Sequence, residues 1–322
     1  VPARKKGSFD DELHFVQRML AQERLAIDDS EPGRTTFLSH LGAQPRLIPG
    51  PWIGHRDLLY ALALANLTQA QRTSLARAVL VEHGREFGVG RLKLTPLASG
   101  LPHGGSSVRL EHRQGGPVVL STWALGADAT STACDWLAMR AQPEWALDDP
   151  PGVISVSGLE ILGALGGEVV VLVGTAVAAV QIAQHIGGRV PMAAHPRFAP
   201  YLEGLIPDAP VLLWPQDALD GAGLRRHEVM AVVMVDTPES VQQEVENWLE
   251  QFGQRAERIQ QSRAACPGRA SRSEVEWFWR ACGSPRVLVT GDPTWVQSGA
   301  RWLRSIGAEV HVHGEATQLE LL

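Results

Sequence analysis

Apolar positions along this chain switch between the three- and four-residue spacing of helices and the short β-branched runs of buried strands. Phe9, Leu13, Val16 and Leu20 fall on one face, which predicts a helix over residues 8–27 with Asp10, Asp11 and Glu12 favouring its first turn. The run Asp28 to Gly33 breaks that pattern into a linker. Thr36 to His40 reads as a short strand, and helices are expected over 56–66 and 69–83. Thr68 and Gln71 have the spacing of a capping box at the start of the second. Strands follow at 91–97 and 106–112, the latter alternating Val108 and Leu110 inward with Arg109 and Glu111 outward. Gly115-Gly116 then turns the chain into Val118–Leu120. Residues 123–152 carry a weaker pattern, with a helix expected near 132–140. Beyond them come a strand at 169–173, a helix at 176–186, and strands at 189–193, 211–214 and 229–235. From Pro238 to Gln261, Val241, Val245, Trp248, Phe252, Ala256 and Ile259 recur at helical intervals. The last block is β-α-β: a buried strand ends at Thr290 and a helix carries Trp295, Gly299, Trp302, Leu303 and Ile306 as its apolar stripe. The strand Glu309 to Val312 closes it.

Composition narrows the class without naming a chemistry. With 322 residues, 44% hydrophobic and 20% charged, the chain can bury one large core or two intimate ones. A formal charge of −6 argues against a surface that is basic throughout, so a nucleic-acid role needs a local patch or a partner. Cys134, Cys266 and Cys282 are odd in number and widely spaced, which predicts a reducing compartment and no disulfide framework. The basic start Val1-Pro-Ala-Arg-Lys-Lys is not followed by an apolar signal core, and a cytoplasmic protein is expected. Ile161 to Ala183 approaches the length of a membrane span, but its glycines and the run Val169–Val173 read as a buried strand, turn and helix.

Several blocks, in order, resemble the metallo-β-lactamase/β-CASP nucleases. Phe37-Leu38-Ser39-His40-Leu41-Gly42 is similar to that family's strand and H-x-H-x-D-H loop, but His40 passes straight to Leu41-Gly42 and the loop bearing the other ligands is missing. Leu92 to Leu110 is similar to a strand, a Pro-Ala-Gly-His turn and the next strand, with Pro102 where the ligand His belongs and His103 one place late. Val118 to Trp123 resembles the run ending in Thr-Gly-Asp, Trp123 replacing the bridging Asp. Gly166 to Ala183 resembles the opening of the β-CASP insert, Cys266 stands nearest a later ligand His, and Val287-Leu288-Val289-Thr290-Gly291 places Thr290 where a metal-binding His-Gly ends the terminal strand.

The resemblance implies an α/β fold: a truncated metallo-β-lactamase-like αββα sandwich over residues 34–152 and 263–322. A β-CASP-like α/β domain would be inserted at 153–262, and residues 1–33 would form an N-terminal helix and linker. In active members the clustered imidazoles and carboxylates hold two zinc ions that activate water. Here the degenerate ligand positions His40, Pro102, Trp123, Cys266 and Thr290 imply no metal, no cofactor and no catalysis, with the indole of Trp123 helping to fill the vacated pocket. The implied role is a non-catalytic scaffold or regulatory subunit of a DNA- or RNA-processing complex. It would pair with an active paralogue or processing enzyme, as inactive sisters do in eukaryotic 3′-end processing, and would reach nucleic acid through that complex and no membrane. Ligase-associated exonucleases offer a second, bacterial likeness.

Other residues weigh less. His311 and His313 fit strand-edge positions better than a metal site, and Cys266 with Asp292 makes only two scattered ligands. Gly174-Thr175 opens a helix but lacks the P-loop lysine. Ser39/His40 and Ser106/His103 permit a hydrolase on paper, without a G-x-S-x-G elbow. Arg255, Arg258, Arg263, Arg269 and Arg272 fall within eighteen residues containing one acid, Glu257, and are the candidate nucleic-acid or partner contact. An active hydrolase with a non-standard site and a small-ligand-binding α/β protein remain the alternatives.

Overall fold

The computed structural model describes residues 20–28, 32–42, 48–148, 150–164, 168–219, 229–237, 243–245, 247–248 and 259–312. The fold is α/β. Its strands are β1 Leu25–Ile27, β2 Thr35–Leu38, β3 Trp52–His55, β4 Val79–Val81, β5 Phe87–Val89, β6 Leu92–Ala98, β7 Ser106–His112 and β8 Val119–Thr122. They continue as β9 Trp136–Arg140, β10 Glu168–Val173, β11 Met192–Ala194, β12 Val211–Pro215, β13 Val229–Val235, β14 Gln260–Ala264, β15 Arg286–Thr290 and β16 Val310–Val312. The helices are α1 Arg56–Ala63, α2 Gln69–Ala76, α3 Pro143–Ala146, α4 Val156–Ala164, α5 Ala176–Ile186, α6 Arg272–Ala281 and α7 Pro293–Ser305. The chain divides into two compact units, residues 1–63, 67–141 and 270–322 in the first and 64–66 and 142–269 in the second.

The first unit carries two sheets. β1-β2-β3-β4 is parallel throughout. The seven-stranded sheet β16-β15-β9-β8-β7-β6-β5 is parallel from β16 to β8 and antiparallel from β8 to β5. The two sheets share one core: Leu25, Ile27, Phe37, Ile53 and Val81 from the first pack with Leu92, Leu94, Leu110, Val119, Trp136 and Leu288 from the second. Burial of each such aliphatic side chain contributes roughly 1.5–3 kcal/mol. α2 begins at the capping box formed by Thr68 and Gln71, and α6 at a second one formed by Ser271 and Glu274. α7 starts at Asp292, whose side chain accepts the Thr294 N–H, and packs along β15 and β16.

The second unit is built on a five-stranded, wholly parallel sheet ordered β11-β12-β10-β13-β14. Val169 to Val173 are fully buried in its centre, as suits a strand covered on both faces. One face packs Val170, Leu172, Trp214, Val232 and Met234 with Val245 and Trp248, which lie among helical residues.

Four expectations from the pattern are corrected. Leu25–Ile27 is a strand, not the end of a helix, because all three side chains are buried in a parallel pairing with β2; most of the helix expected over residues 8–27 lies outside the described residues. α1 and α2 end at Ala63 and Ala76, and Val79–Val81 becomes β4 instead of more helix. The helix expected near 132–140 is β9, buried between β8 and β15. Residues 260 and 261 belong to β14, and most of the preceding predicted helix lies outside the described residues. No helix among the described residues is long and apolar enough to cross a membrane.

Candidate functional site

In a parallel sheet the polar groups that follow each strand collect along one edge. In the first unit Asp28 follows β1, Ser39-His40 follows β2, His55 ends β3, and Glu82-His83 follows β4. Trp123 follows β8, while Arg140 and Thr290 end the neighbouring strands β9 and β15.

Asp28 anchors one half of this edge. It sits at positive φ (57°), and its carboxylate accepts the Ser39 N–H at 2.6 Å and the Ser39 hydroxyl. His40 Nδ1 accepts the Gly42 N–H at 2.8 Å, so the neutral ring carries its proton on Nε2, 3.9 Å from Asp28 Oδ2. Asp28, Ser39 and His40 are all buried. The Trp123 ring lies against His40 at 4.8 Å between centroids, and the Arg140 guanidinium sits 4.3 Å over the indole. Ala141 donates to the Thr290 carbonyl at 2.8 Å, and the missing Cβ of Gly291 would lie 3.0 Å from Arg140 Cγ. Thus His40, Trp123 and Thr290 share this edge, with Arg140 linking the last two.

These residues do not fit a pair of zinc ions. Asp28 and His40 offer few donors, His40 Nδ1 is engaged by backbone, an indole has no ligating lone pair, and Arg140 adds positive charge where a metal needs anions. Among the described residues no group of three or more His, Cys, Asp or Glu is set to hold a metal ion.

The other half of the edge is a histidine pair. His55 and His83 stack with centroids 4.1 Å apart. His55 Nδ1 accepts the Asp57 N–H at 3.3 Å, and Nε2 lies 3.7 Å from Glu82 Oε2. Burial, and then the neighbouring His55, hold His83 below the ordinary imidazole value. His83 Nε2 meets Ser106 Oγ at 3.0 Å, while the Ser106 hydroxyl donates to the Gly104 carbonyl at 2.9 Å. The Ser106 hydroxyl thus lies between the Gly104 carbonyl and the His83 ring. Ser106 therefore pairs with His83 rather than His103, and Ser39 with Asp28 rather than His40. Pro102 lies in the β6–β7 turn, where Gly104 (φ +68°) passes so close to His55 that a Cβ would overlap the ring.

The second unit gathers a different cluster at the carboxyl ends of β13 and β14. Asp236, at φ +48°, accepts the Cys266 N–H at 3.0 Å. The Cys266 thiol points to Gln181 Oε1 at 3.4 Å, and Glu144 and Arg269 complete the group. Burial, then the facing Asp236, pushes Glu144 up to about 8, and burial raises Asp236 as well. Burial also pushes the Cys266 thiol up, leaving an unreactive structural cysteine. Nearby, Gln216 donates to the Val235 carbonyl at 2.8 Å and to Thr237 Oγ1 at 2.7 Å.

The arginine run is not one surface patch. Arg269 is drawn into the Glu144–Asp236 cluster, Arg263 is exposed on β14, and Arg272 lies 5.4 Å over Trp302 in the first unit. Arg255 and Arg258 lie outside the described residues. The carboxyl groups of Asp236 and Glu144, both distant in sequence, draw Arg269 into this cluster, which corrects its place among the surface contacts. The sequence reading missed Asp28, His55, His83, Arg140, Glu144 and Asp236. The one local signal was an apolar run ending in a polar residue, as in Leu25-Ala26-Ile27-Asp28 and Trp52-Ile53-Gly54-His55.

No family model matches this chain, and no curated protein matches it. Among solved structures, the chain is similar to the crystal structure of a protein of unknown function from Enterococcus faecalis V583, at 13% identity over 79% of this chain and 74% of that one, with a TM-score of 0.49.

Proposed function

We propose that the chain is a non-catalytic scaffold or regulatory subunit of a DNA- or RNA-processing assembly, working beside an active nuclease or other enzyme. The observation that carries this reading is the stack of His40, Trp123 and Arg140 above Asp28. Where the resemblance would put zinc ligands, this chain has an indole and a cation, and the neighbouring Ser39–Asp28 pair is buried and mutually satisfied. Arg263, exposed on β14, remains a candidate contact to nucleic acid or an acidic partner.

Metal analysis of the purified protein, with nuclease assays in zinc and in manganese, tests the reading. The expected result is no stoichiometric zinc and no cleavage. Stoichiometric zinc together with cleavage abolished by His40→Ala overturns it. Affinity purification from the native cell is expected to recover an active nuclease in stable stoichiometry, and recovery of the chain alone counts against the assembly role.

A further inference from the structure

The cysteine spacing predicts no disulfide, yet the first unit brings two of the three cysteines together. Cys134 stands two residues before β9, and Cys282 is the C-cap of α6. The Cys134 N–H donates to the Cys282 carbonyl at 3.2 Å, which brings the two backbones into direct contact. Their thiols are hydrogen-bonded to each other. Cys282 is fully buried, whereas Cys134 is partly exposed. The third cysteine, Cys266, belongs to the second unit, where it is buried against Gln181.

We propose that Cys134 and Cys282 form a reversible intramolecular disulfide by exchange with a low-molecular-weight disulfide of the glutathione type. The partly exposed Cys134 thiolate attacks one sulfur of the small disulfide, its proton passing to solvent, and a small thiolate leaves. The Cys282 thiolate, its proton likewise lost, then attacks Cys134 Sγ and expels the second small thiolate. Two cysteine thiols are oxidised, one small disulfide is reduced to two thiols, and no other co-reactant is needed. The order follows from access, because only Cys134 of the pair is open to solvent. The hydrogen bond between the two thiols, with burial, holds Cys134 above its ordinary value, and the same hydrogen bond draws Cys282 below it, so the first attack is the slow step and the second follows quickly.

The full-length protein, kept folded, is incubated with oxidised glutathione, quenched by alkylation, digested and analysed by mass spectrometry. The expected product is a peptide pair linked through Cys134 and Cys282, with Cys266 still open to alkylation after denaturation. Dithiothreitol should restore both thiols. Cys282→Ser should instead accumulate a glutathione adduct on Cys134, and Cys134→Ser should yield no cross-link. In the wild type, a lasting adduct on Cys134, recovery of both thiols unchanged, or a link to Cys266 overturns the proposal.

Discussion

Trp123 stands between an imidazole and a guanidinium, and its indole serves both by ring contact. Trp123→Ala removes that contact on both sides and leaves a void beside buried His40. It is expected to cost about 2–3 kcal/mol, somewhat below a fully buried tryptophan because the residue is only partly buried, with Trp123→Phe recovering much of it. Chemical denaturation of the two variants checks this. Glu144 and Asp236 carry the pH dependence of the second unit. Glu144 has its folded value raised from 4.5 to about 8, so the folded state holds a proton that the unfolded chain gives up. The stability tied to it is complete below pH 4.5 and is lost as pH rises to about 8, by at most about 1.4 kcal/mol per pH unit. Asp236, also raised, acts with the same sign. Glu144→Gln is expected to flatten this slope, measured as unfolding free energy across pH 4–9. His83 runs oppositely: its lowered value makes stability fall as pH drops below 6.5. The resemblance singled out His40 and Trp123 separately, and their ring contact is a finding of the fold. The place of Arg269 was not legible in the sequence, because an arginine in a basic run reads as solvent-facing until the distant Asp236 and Glu144 are known to face it.

At the scale of elements, long periodic or capped segments were readable and three-residue strands were not. The capping box at Thr68 marks the start of α2, and alternation marks β7. β4 has only three residues, too few to display a period of two, and it follows a helix whose apolar spacing runs on through it. β9 is buried at four consecutive positions between two parallel neighbours, so alternation is absent for a physical reason. The β6–β7 connection shows how one element constrains another. Gly104→Ala forces a Cβ into the His55 ring at positive φ, and is expected to destabilise the first unit by more than about 2 kcal/mol and to disturb the His55–His83 stack. Thermal unfolding and histidine NMR titration report the two effects separately. Gly100 and Gly126 make a similar demand, because a Cβ on either would strike the backbone of the other.

At the scale of the molecule, the first unit is discontinuous in sequence, its segments 67–141 and 270–322 being separated by the second unit's 142–269. Sequence resemblance placed the insert at 153–262, and contact geometry draws the compact unit wider, because Glu144 in α3 joins the Asp236–Arg269 cluster. A bond between Cys134 and Cys282 would close a loop containing residues 142–269 of that unit. The chain-entropy limit for a loop of this length is a gain of about 5 kcal/mol, so oxidation is expected to raise the denaturation midpoint unless native strain offsets it. β9 and β15 are hydrogen-bonded neighbours in the interior of the seven-stranded sheet, yet nearly the entire second unit is synthesised between them. This makes the order of folding events a property of the topology. Pairing β9 with β15 across an unstructured insert costs about 2 kcal/mol more in closure entropy than pairing them across a short connection. An already folded insert shortens the effective loop and removes much of that cost. Val170→Ala, deep in the second unit, should therefore slow assembly of the first unit's central sheet, observable as delayed burial of Trp136 during refolding. The inserted unit would then be an intramolecular folding aid for the unit that surrounds it in sequence.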